Sequence, residues 1–152
     1  MALTKVPGTM VSPAQSGSVI QTVQGTSTTA VSTTSTSYVT TGLTASITPL
    51  FSTSKILIII TARVSTAASG NTVQLGIVRG ASTFIANGYS IYSASAGNLV
   101  PTTTIQYLDS PSTTSSTSYT LYFGSTAGSS INIQGNSASD FPAVITIMEI
   151  AQ

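Results

Sequence analysis

Residues 55–64, KILIIITARV, constrain this chain more than any other stretch, because Ile56, Leu57, Ile58, Ile59 and Ile60 stand side by side without a polar break. Successive side chains of a strand point to opposite faces, so a β-branched run of this kind needs both faces covered. A central strand is therefore expected. The run is short, rich in isoleucine and flanked by Ser and Thr, which favours strand over helix. A membrane span needs about 20 apolar residues, and Thr61 and Arg63 close this run well before that.

The remainder of the chain reads as partners for that strand. Residues 43–48 alternate, with Leu43, Ala45 and Ile47 against Thr44, Ser46 and Thr48, the pattern of a half-buried strand. The same period recurs at 73–78 and 117–123, turn signals bound further strands at 102–108 and 131–134, and residues 143–150 form a second strand apolar on both faces. Gly25 reads as a break after Val19, Ile20 and Val23. Asn87-Gly88, flanked by strand-like 83–86 and 89–92, predicts a hairpin, because both residues tolerate the positive φ of a type I′ turn. Eight to ten short strands, with turn signals between them and no amphipathic helix, predict an all-β fold, an antiparallel jelly-roll-like β-sandwich. At 152 residues it is expected to be one domain, covering 18–152, preceded by an extended arm over 1–17 that carries Pro7, Gly8, Pro13 and Gly17.

Composition limits the chemistry. Charged residues make up 5% of the chain, while Ser and Thr supply about a third of it. Polarity therefore comes from hydroxyls, and a surface with so little charge is poorly protected against self-association. A net charge of +1 gives no electrostatic footprint for nucleic acid or an anionic membrane, and neither is expected as a partner. With no His and no Cys, Ser-His-Asp and Cys-His sites and the usual zinc sites are excluded, and the fold has no disulfide framework. No motif calls for a cofactor, and a non-enzymatic role is expected. The first residues lack the continuous apolar segment of a secretory signal, which points to synthesis in a cytoplasm.

Three carboxylates remain. Asp109 precedes Ser110-Pro111 and Asp140 precedes Phe141-Pro142, places where a short carboxylate ordinarily caps a turn. Glu149 shares a face with Ile145 and Ile147, and Arg63 lies on an otherwise apolar strand, so a structural ion pair, within the subunit or between subunits, is expected. The tyrosines are read as strand residues in cross-strand pairs. A tyrosine also offers an apolar face with a polar tip, which makes Tyr89, Tyr92 and Tyr107 the candidate glycan-facing set. In the arm, Leu3, Lys5, Val6, Met10 and Val11 are the candidate partner-binding residues, suited to seating in a neighbour or adding a strand to a sheet edge.

Several phrases taken in order, MALTKV, GSVIQTVQ, TSYVTTGLTASITPLFSTSKILIII, LDSPSTTSSTSYTLYF and VITIMEIAQ, resemble small virion structural proteins and fibre-type modules of tailed bacteriophages. The resemblance implies a homotrimeric β-module, either a capsid decoration or cement protein or a tail or collar fibre module. The implied location is the virion, assembled in the host cytoplasm. The implied partners are other copies of itself and the major capsid protein or another virion protein. The decoration role, with the arm bound to the head shell, is the leading expectation; a tail or collar module binding host-surface glycans is the alternative.

Overall fold

The computed structural model describes residues 15–66, 68–93, 101–134 and 141–152. The arm residues Leu3, Lys5, Val6, Met10 and Val11, and the turn expected at Asp140, lie outside the described residues. All the regular structure described is strand: β1 (Val19–Ser27), β2 (Val31–Thr33), β3 (Val39–Ile47), β4 (Lys55–Thr66), β5 (Asn71–Arg79), β6 (Thr83–Ser93), β7 (Thr102–Asp109), β8 (Thr117–Ser125), β9 (Ile131–Ile133) and β10 (Ala143–Ile150). Every pairing between them is antiparallel.

Two sheets face each other, with strand orders β1-β10-β4-β7 and β3-β8-β5-β6. That arrangement, in which the chain repeatedly passes from one sheet to the other, is a jelly roll. The short strands β2 and β9 extend the first sheet lengthwise. On the edge of β4 that β10 occupies at Lys55 to Thr61, β9 continues at Val64 to Thr66, and β2 continues β1 beside β9. Gln134 bridges the step between β9 and β10. Its backbone N–H donates to the Arg63 carbonyl at 3.0 Å, its Oε1 accepts from the Arg63 N–H at 3.0 Å, and its Nε2 donates to the Phe141 carbonyl. A buried side-chain amide thus takes over where the backbone ladder is interrupted.

Strand β4 is central, as the isoleucine run requires. Ile56, Ile58, Ile60, Ala62 and Val64 point between the sheets and meet Leu43, Ile47, Val73, Leu75, Ile77, Leu121, Phe123, Ile145 and Ile147. The alternate set, Leu57 and Ile59 with Lys55, Thr61 and Arg63, points outward and remains half-buried. Within the described residues, only one face of the run is covered.

Two local expectations are corrected. Asn87-Gly88 makes no hairpin: β6 runs straight through it, and the hairpin turn is 80–82, where Arg79 pairs with Thr83. Leu75 pairs with Tyr89 and Ile77 with Ala86, so Asn87 and Gly88 together oppose Gly76 as a β-bulge, with Gly88 at φ +82°. This bulge uses one left-handed glycine where a type I′ turn would need two left-handed residues, and Asn-Gly suits either. Nor does Gly25 break the first strand, which continues to Ser27.

Candidate functional site

Charge enters the core at one end of the sandwich. On β5 the inward series Val73, Leu75, Ile77 ends in Arg79; on β8 the inward series Phe123, Leu121 ends in Tyr119, whose backbone pairs with Arg79. From the opposite sheet, Asp109 closes β7 on the face that carries Ile105. The three meet. Arg79 Nη1 donates to both carboxylate oxygens of Asp109, at 2.9 and 3.0 Å, and the Tyr119 hydroxyl donates to Oδ2 at 2.8 Å. Asp109 and Tyr119 are buried, whereas the Arg79 side chain keeps 29% of its surface exposed. The cluster joins the two sheets through one carboxylate.

Burial pushes the Tyr119 hydroxyl far above its ordinary value, and the hydrogen bond to Asp109 and its negative charge add to this, while Arg79 opposes it. Folding therefore keeps the proton on. Above about pH 10 the unfolded chain releases that proton and the folded chain retains it, so stability is complete below that pH and falls as pH rises. The loss from one such group is about 1.4 kcal/mol per pH unit. Denaturant titrations from about pH 10 upward should show that slope in the native protein and a shallower one in Tyr119→Phe; identical slopes would refute the assignment.

This geometry replaces the roles expected for two acidic residues. Asp109 does not act as a turn cap, since its inward parity on β7 places it against Arg79. Within one subunit Arg63 and Glu149 do not pair: Glu149 sits opposite Ile56, far along β4 from Arg63. The buried Glu149 carboxylate accepts from the Leu50 and Phe51 N–H groups at 2.7 and 3.3 Å. With its amide nitrogen turned inward, Gln21 donates to the other oxygen at 3.2 Å. Backbone donors satisfy this carboxylate in place of a cation, and they hold the β3–β4 turn with Leu50 and Phe51 exposed. The Arg63 guanidinium lies 5.8 Å from the centre of the Phe141 ring, a cation–π contact.

Beside the Arg79 cluster lies an open cleft of about 400 Å³, walled by the β5–β6 turn with Ser82 and Thr83 and by the β7–β8 loop with Pro111, Ser116 and Ser118. The candidate tyrosines lie elsewhere. Tyr89 and Tyr107 pack against the core, and the Tyr89 hydroxyl donates to the Gln106 carbonyl at 2.7 Å, linking β6 to β7. Tyr92 is 60% exposed on the other face of β6. The three do not share one surface. An aromatic group forms elsewhere, around Phe84, which sequence reasoning passed over: it is 40% exposed and lies over Gly76, with its ring centre 5.0 Å from that of Tyr38 and 5.7 Å from that of Tyr122.

The outward face of the first sheet carries an apolar group set among Thr22, Gln24, Thr61, Thr104, Gln106 and Thr146. Met148, Leu57 and Leu108 are consecutive neighbours across β10, β4 and β7; Val19 and Ile150 adjoin Lys55 in the next row, and Ile59 follows in the row beyond. Val19 is 53% and Leu108 47% exposed. Lys55 and, farther along β4, Arg63 are the charges this strand presents on the face.

No protein-family model and no curated protein matches this sequence. Among solved structures, the fold is similar to a chain of the infectious bursal disease virus Gt strain structure, with a TM-score of 0.53 at 12% identity, covering 100% of this chain and 43% of that one. A chain of the infectious bursal disease virus VP2 subviral particle aligns with a TM-score of 0.49 at 15% identity, covering 99% of this chain and 42% of that one. This chain thus spans less than half the length of either. At 12% identity the first likeness is one of fold, and it agrees with the antiparallel jelly roll expected from the alternation of the strands.

Proposed function

We propose that this chain is a structural protein of a virus particle, specifically a homotrimeric decoration or cement protein of a tailed-phage head whose residues 1–17 bind the shell. The observation that carries this reading is the outward face of the β1-β10-β4-β7 sheet. Leu57, Ile59, Met148 and Ile150 form an apolar group on this face, set among threonine and glutamine side chains, with Lys55 and Arg63 as cations and no carboxylate among the described outward residues, so covering it strands few charges. A second copy of the chain is the occupant proposed, since oligomer contacts of this kind resemble a domain core cut in half. The likeness to a fold found in a virus structure supports the same reading. Because the bridging contacts exist only in the assembled particle, mass action makes them stabilise the shell.

Quantitative stoichiometry in intact particles tests the role. Abundance comparable to the main shell protein is expected for a decoration protein; far fewer copies would move it to a tail or collar, and absence would end the virion reading. Deleting residues 1–17 is expected to abolish attachment to particles and to leave a folded oligomer. Undiminished attachment would count against the arm.

A further inference from the structure

We propose that the cleft over Arg79 binds a carboxylate-bearing saccharide, a uronic or sialic acid residue in chemical class, independently of any assembly role. The Arg79–Asp109 contact leaves the arginine half used. A fork-to-fork pair engages two guanidinium nitrogens, whereas here Nη1 alone spans both Asp109 oxygens. Nε and Nη2 have no acceptor among the described residues, and this part-exposed side chain lines the cleft. The edge they form presents parallel N–H groups at the spacing of a carboxylate, a match that lysine does not offer.

The walls specify the rest of the ligand. Ser82, Thr83, Ser116 and Ser118 border the cleft, and their hydroxyls make no hydrogen bond within the described residues. Hydroxyls both donate and accept, as do the hydroxyls of a sugar ring. Asp109 already balances the guanidinium, and no other charged residue lines the cleft, so a singly charged carboxylate fits better than a phosphate carrying two charges. About 400 Å³ of open space suits one terminal or branch sugar of a glycan. The site is also pre-set: Tyr119 holds Asp109 and Asp109 holds Arg79, which lowers the ordering cost of binding. Ser112, in the loop behind Pro111, is held at φ +53°, a left-handed conformation that non-glycine residues rarely adopt.

The test is a nitrogen-15 NMR titration of the full chain with glucuronate and with N-acetylneuraminate, using glucose and acetate as controls. At least one acidic sugar is expected to shift the amides of residues 80–83 and 116–118 saturably in the millimolar range, with both controls about tenfold weaker or more. Ser116→Phe, which narrows the cleft while leaving Arg79, Asp109 and Tyr119 in the chain, should abolish those shifts in an otherwise native spectrum. Arg79→Lys, which keeps a cation for Asp109, should weaken binding about tenfold. Absence of saturable shifts with both acids would overturn the proposal. So would an equal response to glucose or acetate, or undiminished binding by folded Ser116→Phe.

Discussion

Asp109→Ala is expected to destabilise the isolated protein by about 3 kcal/mol in urea unfolding, with an unchanged m-value. The loss has two parts. Tyr119 is fully buried, and its hydroxyl would keep no partner, a desolvation cost of about 1–3 kcal/mol. Arg79 would lose its counter-charge, but with 29% of its side chain exposed, water recovers part of that cost, and the full penalty of breaking a buried pair is not reached. A double-mutant cycle separates the parts. Tyr119→Phe alone should cost about 1 kcal/mol, and the pair of changes should cost less than the sum, because the second removes the hydroxyl that the first would strand. Strict additivity, or a cost for Asp109→Ala under about 1 kcal/mol, would show that the cluster is not what joins β7 to β5 and β8.

Much of this cluster was already legible in the alternation of three strands. Val73, Leu75 and Ile77 continue to Arg79; Phe123 and Leu121 lead back to Tyr119; Ile105 and Tyr107 continue to Asp109. Each period places its polar end inward. What alternation does not contain is adjacency, because antiparallel neighbours in this fold are seldom neighbours in sequence: β10 lies between β1 and β4, and β8 between β3 and β5. Without the strand order, Asp109 read as a cap for Ser110-Pro111, and Arg63 and Glu149 read as partners because each was a charge on an apolar strand. The register places Glu149 beside Ile56 and gives its carboxylate backbone donors from Leu50 and Phe51. Asn87-Gly88 shows the complementary limit. Gly88 has the positive φ expected of it, but Asn87 does not share it as a type I′ turn requires, and the chain continues as a bulged strand.

Gly25→Ala is expected to cost about 3 kcal/mol or more, and Gly25→Val to prevent folding, for a reason that the sequence hides. Gly25 lies within β1, opposite Ile145, where β1 passes close over β3 at the edge of the sandwich. A Cβ at this position would overlap the Thr44 carbonyl oxygen and approach Ile145 Cγ2 to 3.1 Å. The obstacle is backbone in a paired strand, so no rotamer change relieves it; β1 must move away from β3, or β3 must give up its register with β8. The control is Gly42→Ala. Gly42 has φ +78°, and a Cβ there would meet nothing within 4 Å, so only the left-handed backbone opposes alanine, at a cost of about 1 kcal/mol. Chemical denaturation of both variants separates contact from conformation. If Gly25→Ala proved as mild as Gly42→Ala, the sheets would not meet at this edge as described. A large cost would identify it as the seam that holds β1, and Val19 with it, in line with the apolar outer face.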